Sequence, residues 1–298
     1  MKIMIKTNLF EQVEGVKEFT EQVGSYTVME YLRDPSVQNY YDAMLTYYGE
    51  KQGLRIRQVI VSLSQSSAML QAGAMQMILG DVNIDSNTGG VGGLLKGIAK
   101  SAVTKESAVK PRYTGTGTIV LEPTFKHILL EDVGQWSGTG GMTIEDGMFL
   151  ACDATVQLET VMRKSLSGAV LGNEGLFNTN LVGSGIVALE SPVPKSEIII
   201  VDLENDVLKI DGSMAIAWSK NLNFTVEKTT RSLVGSALSG EGLVNVYRGT
   251  GRVMIANVRN TAQAVGPEGG NQGGSGVNGG GKASKAISGI ANVLGSIS

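Results

Sequence analysis

Few side chains in this 298-residue chain are equipped for catalysis, and they are scattered. The single histidine, His127, lies in Phe125-Lys126-His127-Ile128-Leu129. That strand-like run suits a half-buried structural imidazole better than a general base. A Ser-His-Asp device would have to run through it, yet no serine sits in a nucleophile-elbow sequence. The single cysteine, Cys152, follows Phe149-Leu150-Ala151, the setting of an inert core thiol. One cysteine excludes an intramolecular disulfide framework and a multi-cysteine zinc site. There is no His/Cys pair at metal-ligand spacing and no Gly-x-x-x-x-Gly-Lys-Ser/Thr phosphate loop. Glu131-Asp132, Glu145-Asp146 and Glu204-Asn205-Asp206 are acidic pairs of the kind glycoside hydrolysis uses, but they read as solvated hairpin ends. We therefore expect no catalytic residue, no metal and no cofactor.

Five aromatic and basic residues remain as ligand or interface candidates: Trp136, Trp218, Lys220, Arg248 and Arg252. Trp218 ends the strand-like run Ala215-Ile216-Ala217 beside Lys220; it reads as core packing, with a pocket or interface as the alternative. Trp136 precedes Ser137-Gly138-Thr139-Gly140-Gly141 and reads as a loop residue or a rim contact. Arg55, Arg57, Lys126, Arg248 and Arg252 could line an RNA-binding edge. The net charge of −3 argues against a polyphosphate partner, so nucleic acid is not expected.

The elements that must position these residues are marked by glycine. Forty glycines are nearly twice ordinary usage, and three of them open a recurring phrase. Gly115-Thr116-Gly117-Thr118-Ile119-Val120-Leu121 returns as Gly183-Ser184-Gly185-Ile186-Val187-Ala188-Leu189, then as Gly249-Thr250-Gly251-Arg252-Val253-Met254-Ile255. The spacings are 68 and 66 residues. Each phrase leads into an apolar strand, not a helix N-terminus, so it is a poor phosphate cradle. Gly73-Ala74-Met75, Gly147-Met148 and Gly212-Ser213-Met214 keep the same order upstream. This predicts a threefold duplication at about 54–123, 124–192 and 195–258. Apolar alternation at Val59, Val61 and Leu63, or at Phe224 and Val226, makes each unit mainly β. Short helix-like stretches fall at 94–102, 163–171 and 230–238, and the first unit carries an insertion at about 98–112. We expect a mainly β protein of β-sandwich or double-stranded β-helix-like units, with short helices.

Residues 1–53 stand outside the repeat and read as a helical extension packed on the body. Phe10, Val13, Val16, Phe19 and Val23 recur at three to four residues, predicting a helix that ends near Gly24. A second helix is expected from Asp34-Pro35, with Tyr40, Met44, Tyr47 and Tyr48 on one stripe facing the body, or facing a partner as the alternative. From Gly266 the chain turns glycine-rich, so 259–281 reads as a flexible linker. Residues 282–298 read as a weak amphipathic tail for a protein partner, a sibling subunit or peripheral membrane contact. Apolar residues at 42% and charged residues at 18% are enough for a core. With no signal-peptide pattern and no long apolar run, the cytoplasm is the expected compartment.

Together these residues resemble the altered inheritance of mitochondria protein 24 family. The likeness rests on Gly73-Ala74-Met75-Gln76, on Ile144-Glu145-Asp146-Gly147-Met148-Phe149-Leu150-Ala151-Cys152-Asp153 and on Ala188-Leu189-Glu190-Ser191-Pro192. Further resembling segments are Leu208-Lys209-Ile210-Asp211-Gly212-Ser213, Ala217-Trp218-Ser219 and the run from Gly240 to Gly251. It spans about residues 54–258. The resemblance implies a β-sandwich akin to the tryptophan RNA-binding attenuation protein, tripled in one chain and assembled into trimers or rings. It supplies no activity. It associates mitochondrial members with inner-membrane organisation, and it carries across neither the tryptophan site nor the RNA site of the attenuation protein. The function expected is a non-enzymatic homo-oligomeric scaffold or partner-binding protein. The alternative is a small-molecule-binding regulator with sites between repeats or subunits.

Overall fold

The computed structural model describes residues 5–85, 110–162, 177–211, 214–228 and 243–258. The three helix-like stretches, the linker and the amphipathic tail lie outside the described residues, as does most of the insertion.

Among the described residues fifteen strands make two antiparallel sheets, and the mainly β class holds. The first sheet runs β1 (Lys17–Val23), β2 (Tyr26–Tyr31), β3 (Arg57–Leu70), β8 (Phe149–Asp153), β11 (Ile186–Ser191), β6 (His127–Asp132). In the same sheet β5 (Arg112–Leu121) pairs with β3 and with β4 (Met75–Asp85). The second sheet runs β12 (Ile198–Asp211), β15 (Leu243–Ala256), β13 (Ala215–Ser219), β7 (Met142–Ile144), β10 (Phe177–Gly183), β9 (Val156–Met162). There β14 (Asn223–Lys228) pairs with β15.

Glycine spacing in the sequence corresponds to a local device in the strands. Opposite Gly115-Thr116-Gly117, β3 bulges at Gln65, whose φ is +50° and whose N–H donates to Thr116 Oγ1 at 3.2 Å. Opposite Gly249-Thr250-Gly251, β12 bulges at Asn205, with φ +53° and an N–H bond to Thr250 Oγ1 at 2.9 Å. An extra residue in one strand needs a left-handed backbone there and a close approach across from it. A Cβ on Gly115 would stand 2.1 Å from the Asp81 carbonyl oxygen, so only glycine fits. The second phrase sits where the chain leaves β10 in one sheet and enters β11 in the other.

Side chains from both sheets meet in one apolar cluster. Leu129, Phe149, Cys152 and Leu189 come from the first sheet; Met142, Ile144, Leu181 and Met254 come from the second. β7, β11 and β15 send alternate residues into that layer: Met142 and Ile144, Val187 and Leu189, Met254 and Ala256. A second cluster of Tyr26, Val59, Val61, Ile119 and Leu121 fills the first sheet's own curl, and a third of Leu203, Trp218, Tyr247 and Val253 fills that of the second.

The predicted first helix is instead the hairpin β1–β2. Gly15 (φ +69°) and Gly24 (φ +57°) cut the segment into turn, strand and turn, and β2 pairs with β3 from Tyr26↔Val61 to Glu30↔Arg57. The three-to-four spacing of Val16, Phe19 and Val23 was compatible with a strand bulged between Phe19 and Glu21. The first sheet therefore begins well before residue 54. The second helix, α1 (Tyr40–Lys51), starts later than Asp34. Asn39 is its cap, its side-chain oxygen accepting from Tyr41 N and Asp42 N at 3.0 Å each. Asp34 closes a preceding turn through Ser36 N at 2.8 Å.

Candidate functional site

A groove of about 700 Å3 runs between the segment after β6 and the outer strands of the second sheet. Asp132, the last residue of β6, accepts from Gly134 N at 2.8 Å and caps a 3-10 helix at Val133–Thr139. Gly140, left-handed at φ +78°, ends that helix. This short helix buries Trp136 beside Val133 and presents the rest of its indole to the groove. Opposite lie Ile198, Ile200 and Asp202 of β12, Ser219 of β13, and Gly251, Arg252 and Met254 of β15. Gly251 is required there because a Cβ would come 2.7 Å from the Ser219 Cβ.

Four of the groove's five charged side chains form two ion pairs, and Glu204 is the fifth. Asp202 and Arg252 face each other in the β12–β15 register, and the guanidinium donates from Nε at 2.7 Å and Nη2 at 3.2 Å. That hydrogen bonding holds the Asp202 carboxyl below the usual carboxylate range and pushes Arg252 up. Lys195 bridges to Glu131 at 3.0 Å and reaches the Leu130 carbonyl at 3.4 Å. Ser219 Oγ accepts the Arg252 backbone N–H at 2.9 Å. The site is thus an open trough with an indole and two neutralised ion pairs.

The other chemistry-bearing groups are elsewhere. His127, on β6 opposite Ser191, is half-buried near Arg57; burial first, then that guanidinium, lowers its pKa. Cys152 is fully buried, and burial pushes its thiol up, away from thiolate chemistry. Of the five candidate residues, Trp136 and Arg252 meet at the groove. Trp136 sits in the capped 3-10 turn, which folds most of it inward and leaves the remainder on the groove. Trp218 is core: its ring lies 5.4 Å from Phe224 and 5.3 Å from Tyr247. Lys220 pairs with Glu159 at 2.9 Å, and Arg248 pairs with Glu227 at 2.5 and 2.9 Å; neither lines the groove. Reading the sequence alone missed Lys195, Asp202 and Ser219, and took Glu131 for part of a solvated hairpin end. Asp202 could have been found by pairing the strand before the third glycine phrase with the phrase itself.

The match to known proteins follows the same body. Residues 50–258 match the family described as Mitochondrial biogenesis AIM24. The chain belongs to that family. An uncharacterised protein of Streptococcus pyogenes serotype M6 is 26% identical over 200 residues, covering 64% of this chain and 77% of its own. The crystal structure of a Streptococcus pyogenes protein superposes with a TM-score of 0.52 at 23% identity, over 83% of this chain and 96% of that one. The AIM24 match contains every groove residue and begins inside α1, so the hairpin and most of that helix precede it.

Proposed function

We propose that this AIM24 protein is a non-enzymatic, homo-oligomeric, partner-binding scaffold acting in the cytoplasm as a trimer or larger ring. The observation that supports it is the free edge of β12. Among the described residues β12 pairs with β15 alone, leaving the outer edge of a 14-residue strand open. Its first four residues, Ile198-Ile199-Ile200-Val201, carry no charge, and Ile199 and Ile200, on opposite faces, are each 47% exposed. Natural sheets block such edges with charges, bulges or covering segments; here the charges and the bulge begin only at Asp202 and Glu204-Asn205. An open apolar edge is where another chain adds a strand. No helix among the described residues is long and apolar enough to cross a membrane. The buried, unpaired thiol of Cys152 accords with a reducing compartment.

The test is Ile199→Lys with Ile200→Lys in the full chain. We expect the particle mass to fall to that of a smaller species with unchanged circular dichroism. An unchanged mass would remove β12 from the assembly.

A second reading is favoured by the groove at Trp136 and Arg252: a small zwitterionic ligand held between the indole and the two ion pairs. Native mass spectrometry on several preparations checks it. A recurrent adduct lost in Arg252→Ala supports it, and none in any preparation counts against it.

A further inference from the structure

We infer that the outward face of α1 is a two-fold contact between two copies of this chain; this rests on the oligomeric reading above and names a surface for it. The helix is turned the wrong way round for a monomer. An amphipathic helix normally lays its apolar stripe on the core. In α1 the half-buried positions are Asp42, Thr46, Gly49 and Glu50, which share one side. The opposite side carries Tyr40, Tyr41, Met44, Tyr47 and Tyr48, which are 97%, 39%, 50%, 56% and 65% exposed. No residue of the helix is buried. The sequence places this stripe on the body; the structure turns it to solvent.

The size of the face fits a second copy. With about 150–250 Å2 available per aromatic side chain, these exposures leave on the order of 600 Å2 of mostly aromatic surface. That is the upper end of the largest patch on a typical monomer, roughly 300–600 Å2. Two such faces together would bury on the order of 1,200 Å2, where specific interfaces begin. Tyrosine and methionine are also the types enriched in interface cores.

The spacing favours self-association. Tyr40, Met44, Tyr47 and Tyr48 follow the i, i+4, i+7, i+8 pattern of a helix-pair seam, and one helix per chain presented alike by two copies makes an isologous pair. A lipid surface fits less well. Helices that lie in a bilayer interface carry a Lys/Arg-rich polar side, whereas α1 has Asp42 and Glu50 against Lys51, which lies over the Tyr47 ring at 5.2 Å.

Sedimentation velocity of the full chain, wild type and Met44→Glu/Tyr48→Glu, tests the inference. The double variant should have half the wild-type mass, two trimers or rings paired through α1 falling to one, with the circular dichroism unchanged. As a second readout, Tyr48→Cys should give a two-chain band on a denaturing gel after a short bis-maleimide, because Cys152 is buried. An unchanged mass in the double variant together with no two-chain band overturns the α1 contact while leaving an oligomer built elsewhere intact. A monomeric wild type overturns both readings. Flotation of wild type but not variant with phosphatidylcholine–phosphatidylglycerol vesicles, at equal masses without lipid, assigns the face to lipid and overturns the inference.

Discussion

At the scale of single residues, the strongest electrostatic commitment lies away from the groove. Arg57 is buried, bonds Glu30 at 2.7 Å, and donates to the carbonyls of Arg55, Phe125 and Gly53. Glu30 keeps a second partner, Arg55 at 3.0 Å, so its charge is not stranded when Arg57 alone is removed. Arg57→Met should therefore cost about 1–3 kcal/mol in urea unfolding at pH 7 through the carbonyl bonds it gives up, and Arg57→Met with Arg55→Met, which does strand Glu30, should cost more. His127 gives an unambiguous pH probe, being the single histidine. Its lowered pKa means the unfolded chain takes up the proton first. The associated stability is full above 6.5 and is lost as pH falls through that value towards the folded pKa. Its imidazole resonance should titrate with a midpoint below 6.5; a midpoint at or above that value contradicts the burial described. Glu227 acts in the same direction at lower pH. The hydrogen bonds from Arg248 first, then Thr225, hold it at about 2, so its contribution disappears between about 4.5 and 2. Both side chains are about a third exposed and screened by solvent, so Glu227→Gln should change stability modestly, by about 1 kcal/mol or less, at pH 7.

Among the elements, the two bulges and their glycines separate strain from clash. Gln65 holds a left-handed backbone that glycine adopts freely, so Gln65→Gly should gain roughly 0.5–1 kcal/mol. Asn205→Gly should be near neutral, since asparagine tolerates that region. Gly115→Ala drives a Cβ into the Asp81 carbonyl and should cost about 3 kcal/mol or more. Gly249→Ala meets its nearest atom only at 3.6 Å and should cost about 1–2 kcal/mol of backbone strain. Denaturant midpoints of the four variants check the order. The glycine phrases were legible in the sequence because close approach excludes a Cβ at Gly115, Gly117, Gly183, Gly185 and Gly251, while Gly249 is set by its positive φ. The hairpin at β1–β2 was not, because a bulged strand and a helix can place Val16, Phe19 and Val23 alike. Of the groove, Trp136 and Arg252 were picked out by residue type. Lys195 and Glu131 were hidden, since they meet only through packing of segments 64 residues apart. The stripe on α1 was read correctly as a stripe. Its direction was not, because periodicity tells which residues share a side and not which side meets the body.

For the molecule as a whole, the start of β12 and the outside of α1 are two surfaces among the described residues where neighbouring apolar or aromatic side chains stay exposed after the sheets have closed on their cores. β12 is within the AIM24 match, while all but the last turn of α1 precedes it. A scaffold with one contact at each surface would carry both. The measurement that bears on this most directly is the solution mass of the full chain by light scattering coupled to size exclusion. The account predicts a discrete oligomer whose mass holds constant on dilution. A monomer of 31.4 kDa at every concentration would contradict it.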